Sequence, residues 1–203
     1  VARISSTDRR SALLDAALRV IAAGGMAAAT TRAIVAEAGM SLASFHYAFE
    51  SRDELLRQLV RRVVSTEAFA VADTFTPGTD IRSSIRNGLA AYVDTISADP
   101  AHELAMFEIV QYAMRTPELQ HLAGEQYARY RDTVSALLEA GAAHAGVRWT
   151  LPVHEVARLV VTFTDGITLA WLAERDLAAA MHVVDFAADS LSTLAVPSKE
   201  HTA

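Results

Sequence analysis

The sequence predicts an all-α chain with a small N-terminal three-helix domain, a long joining helix and a larger all-helical second domain. Three observations predict it. Apolar residues recur every three or four positions through most of the 203 residues. The prolines, with the glycines at 24, 25, 78 and 146, stand where those stretches end. No stretch alternates convincingly with the two-residue period of a strand, and no internal repeat is visible.

Composition agrees. A hydrophobic content of 52% and a mean hydropathy of +0.21 are ample for a packed core, so disorder is expected only at the ends. No uninterrupted apolar run reaches the ~18 residues of a bilayer span, and no hydrophobic segment follows the basic start VARISSTDRRS. No membrane association and no signal peptide are therefore expected. The absence of Cys excludes disulfides, thiolate catalysis and thiolate metal sites, and it fits a reducing cytoplasm.

Taken in order, residues 1–7 read as a terminal arm, with Arg3 placed to reach a minor groove or a phosphate. From Asp8, the residues Leu14, Ala17, Leu18 and Ile21 share one helical face, and Gly24-Gly25 ends that helix. Residues 30–56, TTRAIVAEAGMSLASFHYAFESRDELL, read as two short helices, a turn between them and the start of a third. Thr30 or Thr31 caps the first, Gly39 supplies the turn, and Ser41 caps the second, Leu42 to Phe49. Ser51 and Glu54 have the spacing of a capping box. Helix, glycine turn, helix is the pattern whose second helix enters a DNA major groove.

The third helix carries Leu55, Leu56, Leu59, Val60, Val63 and Val64, then Phe69 and Phe75, and Thr76-Pro77-Gly78 stops it. Its length makes it a mechanical link. Further helices are expected over 80–98, from Pro100 to about Arg115, from Pro117 to about His144, from Pro152 through the apolar run VHEVARLVVTFTDGITLAWLAER, and from about Leu177 to Leu194.

The run Ala38-Gly39-Met40-Ser41, then Phe45, Phe49, Ser51-Arg52 and Glu54-Leu55, resembles the signature of the TetR family of bacterial transcriptional repressors. Met40, Ala43, His46, Ala48 and Arg52 depart from that family's common Val, Gly, Tyr, His or Tyr, and Lys, and Val35 replaces a small Ala. With its flanking helices the motif covers about 45 residues; beyond it the likeness is one of length and helical organisation. The resemblance implies a helix-turn-helix domain at 1–50, a linking helix at about 51–75, and an effector-binding and dimerisation domain at 76–203. It also implies a homodimeric repressor released from a pseudo-palindromic double-stranded operator by a small-molecule effector. A helical DNA-binding dimer without effector control, or a small-molecule binder with a vestigial helix-turn-helix, remain alternatives.

The charge distribution fits a chain that meets phosphate at one end. Residues 1–62 hold nine Arg against six acids, whereas the remainder holds nine bases against eighteen acids, giving −6 overall. Candidate DNA contacts are Thr31, Arg32, Ser41, Leu42, Ser44, His46, Tyr47 and Arg52. Hydroxyls and imidazole can bond base edges or phosphates, and the N-terminus at Thr31 suits an anion. The family's Lys position, here Arg52, touches backbone phosphate.

Candidate pocket residues are Phe107, Glu108, Gln111, Tyr112, Tyr127, Tyr130, Asp165 and Trp171, which mix apolar wall with polar anchors. They read also as core aromatics, with the acids paired to Arg115, Arg131 or Arg158. Asp165 lies mid-helix in an apolar run, where an ionised carboxylate is costly; it contacts an effector, pairs with an Arg, or lies at a dimer seam. For that seam the candidates are Ala157, Val161, Thr164, Thr168, Val183, Phe186 and Ala187. No enzyme is expected, because the seven His show no paired metal spacing and neither nucleophile nor phosphate-loop motifs occur. No catalytic residue, cofactor or metal is assigned.

Overall fold

The structure, a computed structural model, describes residues 5–66 and 79–198, the side chains of residues 64–66 excepted. Most of its helices begin at polar caps. In α1 (Ser6–Ala28) the Asp8 N–H donates to the Ser5 hydroxyl at 3.1 Å. Gly25, at φ 77°, kinks α1 where the sequence expects it to end. α2 (Thr31–Glu37) and α3 (Leu42–Ala48) follow, then α4 (Arg52–Thr66). The remaining helices are α5 (Ile81–Ala98), α6 (Pro100–Arg115), α7 (Gln120–Ala145) behind a 3-10 turn at Pro117–Leu119, α8 (Val153–Glu174) and α9 (Leu177–Ser192). The continuation of the linking helix through Phe69 and Phe75, the stop at 76–78 and the Arg3 arm lie outside the described residues.

The chain forms two compact units. One holds residues 1–67 with 101–126. Within it α1 packs on α2, α3 and α4 around Leu13, Ala17, Ile21, Ile34, Phe45, Phe49, Leu55 and Leu59, all 1% exposed or less. Ala105, Met106, Ile109 and Ala113 of α6 join this same core. The sequence division places those residues in the second domain, whereas their packing places them with the first. The other unit holds residues 68–100 with 127–203. There α5, α8 and α9 bury Leu89, Val93, Ile96, Val156, Val160, Ile167, Val184 and Leu191. Arg82 and Arg86 of α5 brace α9 through Asp189 at 2.5 Å and Asp185 at 2.6 Å.

One expectation is corrected. Two three-residue strands, β1 (Val147–Trp149) and β2 (Ala195–Pro197), pair antiparallel with Arg148 opposite Val196. They fasten the α7–α8 connection to the end of α9, and the Trp149 indole N–H donates to the Leu138 carbonyl at 3.2 Å. Three residues are too few to show a two-residue period. The helical class stands. By length and composition alone α1 and α8 could cross a membrane. Here their apolar faces are packed into the two cores.

Candidate nucleic-acid interface and effector face

The helix-turn-helix is assembled by local hydrogen bonds. The Ala33 N–H donates to the Thr30 hydroxyl at 3.2 Å, so Thr30 rather than Thr31 is the cap of α2. Gly39, at φ 63°, carries the chain out of α2, and the Met40 N–H returns to the Val35 carbonyl at 2.8 Å. The Ser44 N–H then donates to the Ser41 hydroxyl at 3.2 Å and starts α3. Phe45 and Phe49 are driven into the core, which forces the rest of this seven-residue helix outward. Tyr47 is 84% exposed and Leu42 47%; Ser41 and His46 are exposed and Ser44 is half-buried. Ala43 shares the exposed face, leaving it low enough for close approach.

Before α4 the capping box takes a modified form. The Glu54 N–H donates to the Ser51 hydroxyl at 3.1 Å, but the Glu54 carboxylate receives the Glu50 N–H, at 2.7 Å. Arg10 also donates to Glu54, at 2.6 Å, with its guanidinium 4.9 Å from the Phe49 ring centroid. Arg19 reaches Glu37 at 2.6 Å, and Arg62 bonds Asp15. Several arginines of the basic end therefore brace the domain. Arg32 is exposed and makes no ion pair among the described residues.

Arg52 turns inward further than its sequence role suggests. Its Nε donates to the Ala29 carbonyl at 2.6 Å and one Nη to the Met26 carbonyl at 2.8 Å, closing the loop between α1 and α2. The other Nη lies 4.0 Å from Asp53 Oδ1. In the last turn of α1 the Met26 N–H donates to the Glu108 carboxylate at 2.5 Å. One peptide segment thus joins α6 to the residue that opens α4, a connection absent from the sequence reading because its partners are 82 and 26 residues apart.

The eight pocket candidates divide between the units. On α6, Glu108 is held by Met26, Tyr112 packs on the core of the first unit, Phe107 is half-buried and Gln111 is exposed. In the second unit Trp171 is buried, with the Arg175 guanidinium 4.5 Å from its ring centroid. Tyr127, Tyr130 and Asp165 come together: the Tyr127 hydroxyl donates to Asp165 Oδ2 at 2.9 Å, and the two tyrosine rings meet edge to face at 6.0 Å. Burial raises the Asp165 carboxyl above its ordinary 3.8, opposed only by that hydrogen bond. The Tyr127 hydroxyl is pushed up to about 12, first by burial and then by the Asp165 charge. The pairing of Asp165 with an Arg is not found among the described residues.

The seam candidates divide by exposure. Ala157, Val161, Thr164, Thr168 and Ala187 are at most 4% exposed, because they face this chain's own core. Thr164 and Thr168 donate their hydroxyls to carbonyls one turn back in α8, and Thr168 also meets the Tyr92 hydroxyl at 2.6 Å. Val183 and Phe186 are exposed, Phe186 by 64%. On α8, Leu159, Thr162, Leu169 and Ala170 are also exposed and recur at helical spacing. The Phe163 and Phe186 rings meet at 6.5 Å and tie the two helices.

Known proteins resemble this chain along nearly its whole length. Residues 13–59 match the family described as bacterial regulatory proteins, tetR family, and residues 81–196 match the C-terminal part of BetI-type transcriptional repressors. The nicotine-responsive transcriptional repressor HdnoR of Paenarthrobacter nicotinovorans is 31% identical over 172 residues, which are 85% of this chain and 88% of that protein. The multidrug binding protein EbrR, solved with malachite green, is 28% identical over 94% of this chain and 99% of its own, with a TM-score of 0.58. A transcriptional regulator from Rhodococcus sp. Rha1 shares the fold at a TM-score of 0.71 and 20% identity, over 93% of this chain and 99% of its own.

Proposed function

Since the chain belongs to the TetR family, whose members are transcriptional regulators and not enzymes, we propose that it is a homodimeric cytoplasmic repressor that a small molecule releases from a pseudo-palindromic operator. The observation that carries this reading is α3. Its aromatic pair is buried, and Leu42, His46 and Tyr47 are presented on the opposite side of a helix short enough to lie in a major groove. His46 and Ser44 reach base edges, and Tyr47 takes a phosphate or a thymine methyl. Arg32 and the N-terminal turn at Thr31 hold the backbone on either side, together with the guanidinium of Arg52.

Two such helices must be held one helical turn of DNA apart, and this is the part of the dimer. The apolar stripe of Leu159, Leu169, Val183 and Phe186 on α8 and α9 is self-complementary in character, as an interface across a two-fold axis requires. Effector control has support in the 31% identical relative, itself named for its response to nicotine, and in the EbrR complex with malachite green. A coupling of ~1–3 kcal/mol between ligand and DNA is enough for such release.

Sedimentation of the protein with a bound duplex, repeated over a salt series, tests the reading. Two protomers per duplex are expected, with affinity falling as salt rises by about 0.9 logarithmic units per logarithmic unit for each phosphate neutralised. One protomer per duplex, or affinity indifferent to salt, would contradict it.

A further inference from the structure

α8 is strongly apolar, yet Asp165 stands near its middle beside the buried residues Thr164, Ile167 and Thr168. A half-buried carboxylate in such a helix is costly unless a cation or several donors compensate it. Here one donor is present, the Tyr127 hydroxyl at 2.9 Å, and no cation pairs with it among the described residues. Arg158, two turns earlier on the same helix, points to Glu155 at 3.8 Å instead.

The surroundings are aromatic. Tyr127 and Tyr130 meet edge to face, both half-buried against the core of the second unit. Tyr92 packs on that same core, its hydroxyl 2.6 Å from Thr168 Oγ1, three residues along α8 from Asp165. Tyrosine rings attract cations through their negative faces, and that attraction grows when water is excluded. An unpaired carboxylate beside such rings, backed by an apolar core, is complementary to one ligand chemistry: positive charge on a hydrocarbon body.

We propose that the effector of this chain is a lipophilic organic cation, a protonated amine or a delocalised cationic ring system, whose charge is held by Asp165. Tyr127 orients the carboxylate through its hydroxyl, and Tyr130 forms part of the aromatic wall. The proposal deepens the effector-controlled reading and rests on it.

Calorimetric titration of the full chain at pH 7 tests it with matched probes: nicotine against its non-basic lactam cotinine, 4-phenylbutylamine against 4-phenylbutanol, and malachite green against its leuco form. In at least one pair the cation is expected to bind at least tenfold more tightly than its neutral partner. Asp165→Asn, with folding checked by thermal unfolding, is expected to abolish that preference. Tyr127→Phe is expected to weaken the cation by a smaller factor and to leave the neutral partner unchanged. Equal binding within every pair, no cation bound at all, or a cation preference that survives Asp165→Asn would overturn the proposal.

The two readings fail separately. Release of operator DNA by a neutral or anionic ligand, such as 4-phenylbutyrate, would overturn the cation assignment and leave effector control standing. A cation that binds through Asp165 yet leaves the DNA complex intact at saturation would contradict effector control and not the site.

Discussion

Tyr47 and Arg52 are five residues apart, and both carry groups suited to DNA, but their surroundings give them different work. Tyr47 is almost fully exposed, so Tyr47→Ala is expected to weaken operator binding by about 1–3 kcal/mol and leave thermal stability unchanged. Arg52 closes two backbone carbonyls, and Arg52→Ala is expected to destabilise the fold by ~1–3 kcal/mol as well as weaken DNA binding. Thermal unfolding of the two variants side by side separates these roles. The outward set on α3 is legible in sequence because a two-turn helix with two inward aromatics leaves little choice for the remainder. The carbonyl partners of Arg52 and the hold of Glu108 on Met26 are not legible, since both depend on where the loop after α1 returns.

Asp165 gives a pH-dependent test at the same scale. Its folded carboxyl keeps a proton to higher pH than in the unfolded chain, because burial penalises the charge. Its contribution to stability is therefore fully present below the unfolded value near 3.8 and is lost as pH rises through the raised folded value. Asp165→Asn cannot ionise, so its melting temperature should exceed that of the parent at pH 7 and converge with it near pH 3. A parent at least as stable as the variant at pH 7 would show that the carboxylate is well compensated.

Among the elements, two glycines separate backbone need from simple tolerance. Gly25 sits at φ 77°, and a Cβ there would lie 2.9 Å from Glu108 Oε1. Gly25→Ala is therefore expected to cost more than about 1 kcal/mol. Gly124 lies within α7 with nothing near its missing Cβ, so Gly124→Ala should stabilise by roughly 0.5–1 kcal/mol. Denaturant unfolding of both measures the contrast. Helix boundaries were readable because Pro100, Pro117 and Pro152 sit at or next to helix starts and Asp80 and Ser41 cap them. The β1–β2 pair was not, being made of two segments more than forty residues apart. α8 hid its orientation for another reason: it is apolar on most sides, so periodicity alone could not tell the stripe facing α9 of its own chain from the exposed stripe.

For the whole molecule, the proposed dimer makes two copies act together. Phe186 stands on the exposed apolar stripe and outside the core, so Phe186→Glu should leave the monomer folded while shifting sedimentation from dimer to monomer. Operator affinity should fall with it, since one head reaches only one half-site. An undisturbed dimer would move the interface to another surface. Selection of bound duplexes from a random DNA pool at near-physiological salt, using the purified full chain, addresses the reading head and the two-fold arrangement at once. Enrichment of one sequence with two inverted half-sites is expected, and loss of that enrichment in Tyr47→Ala. A pool that stays random, or an enriched site without two-fold symmetry, would contradict a dimeric sequence reader.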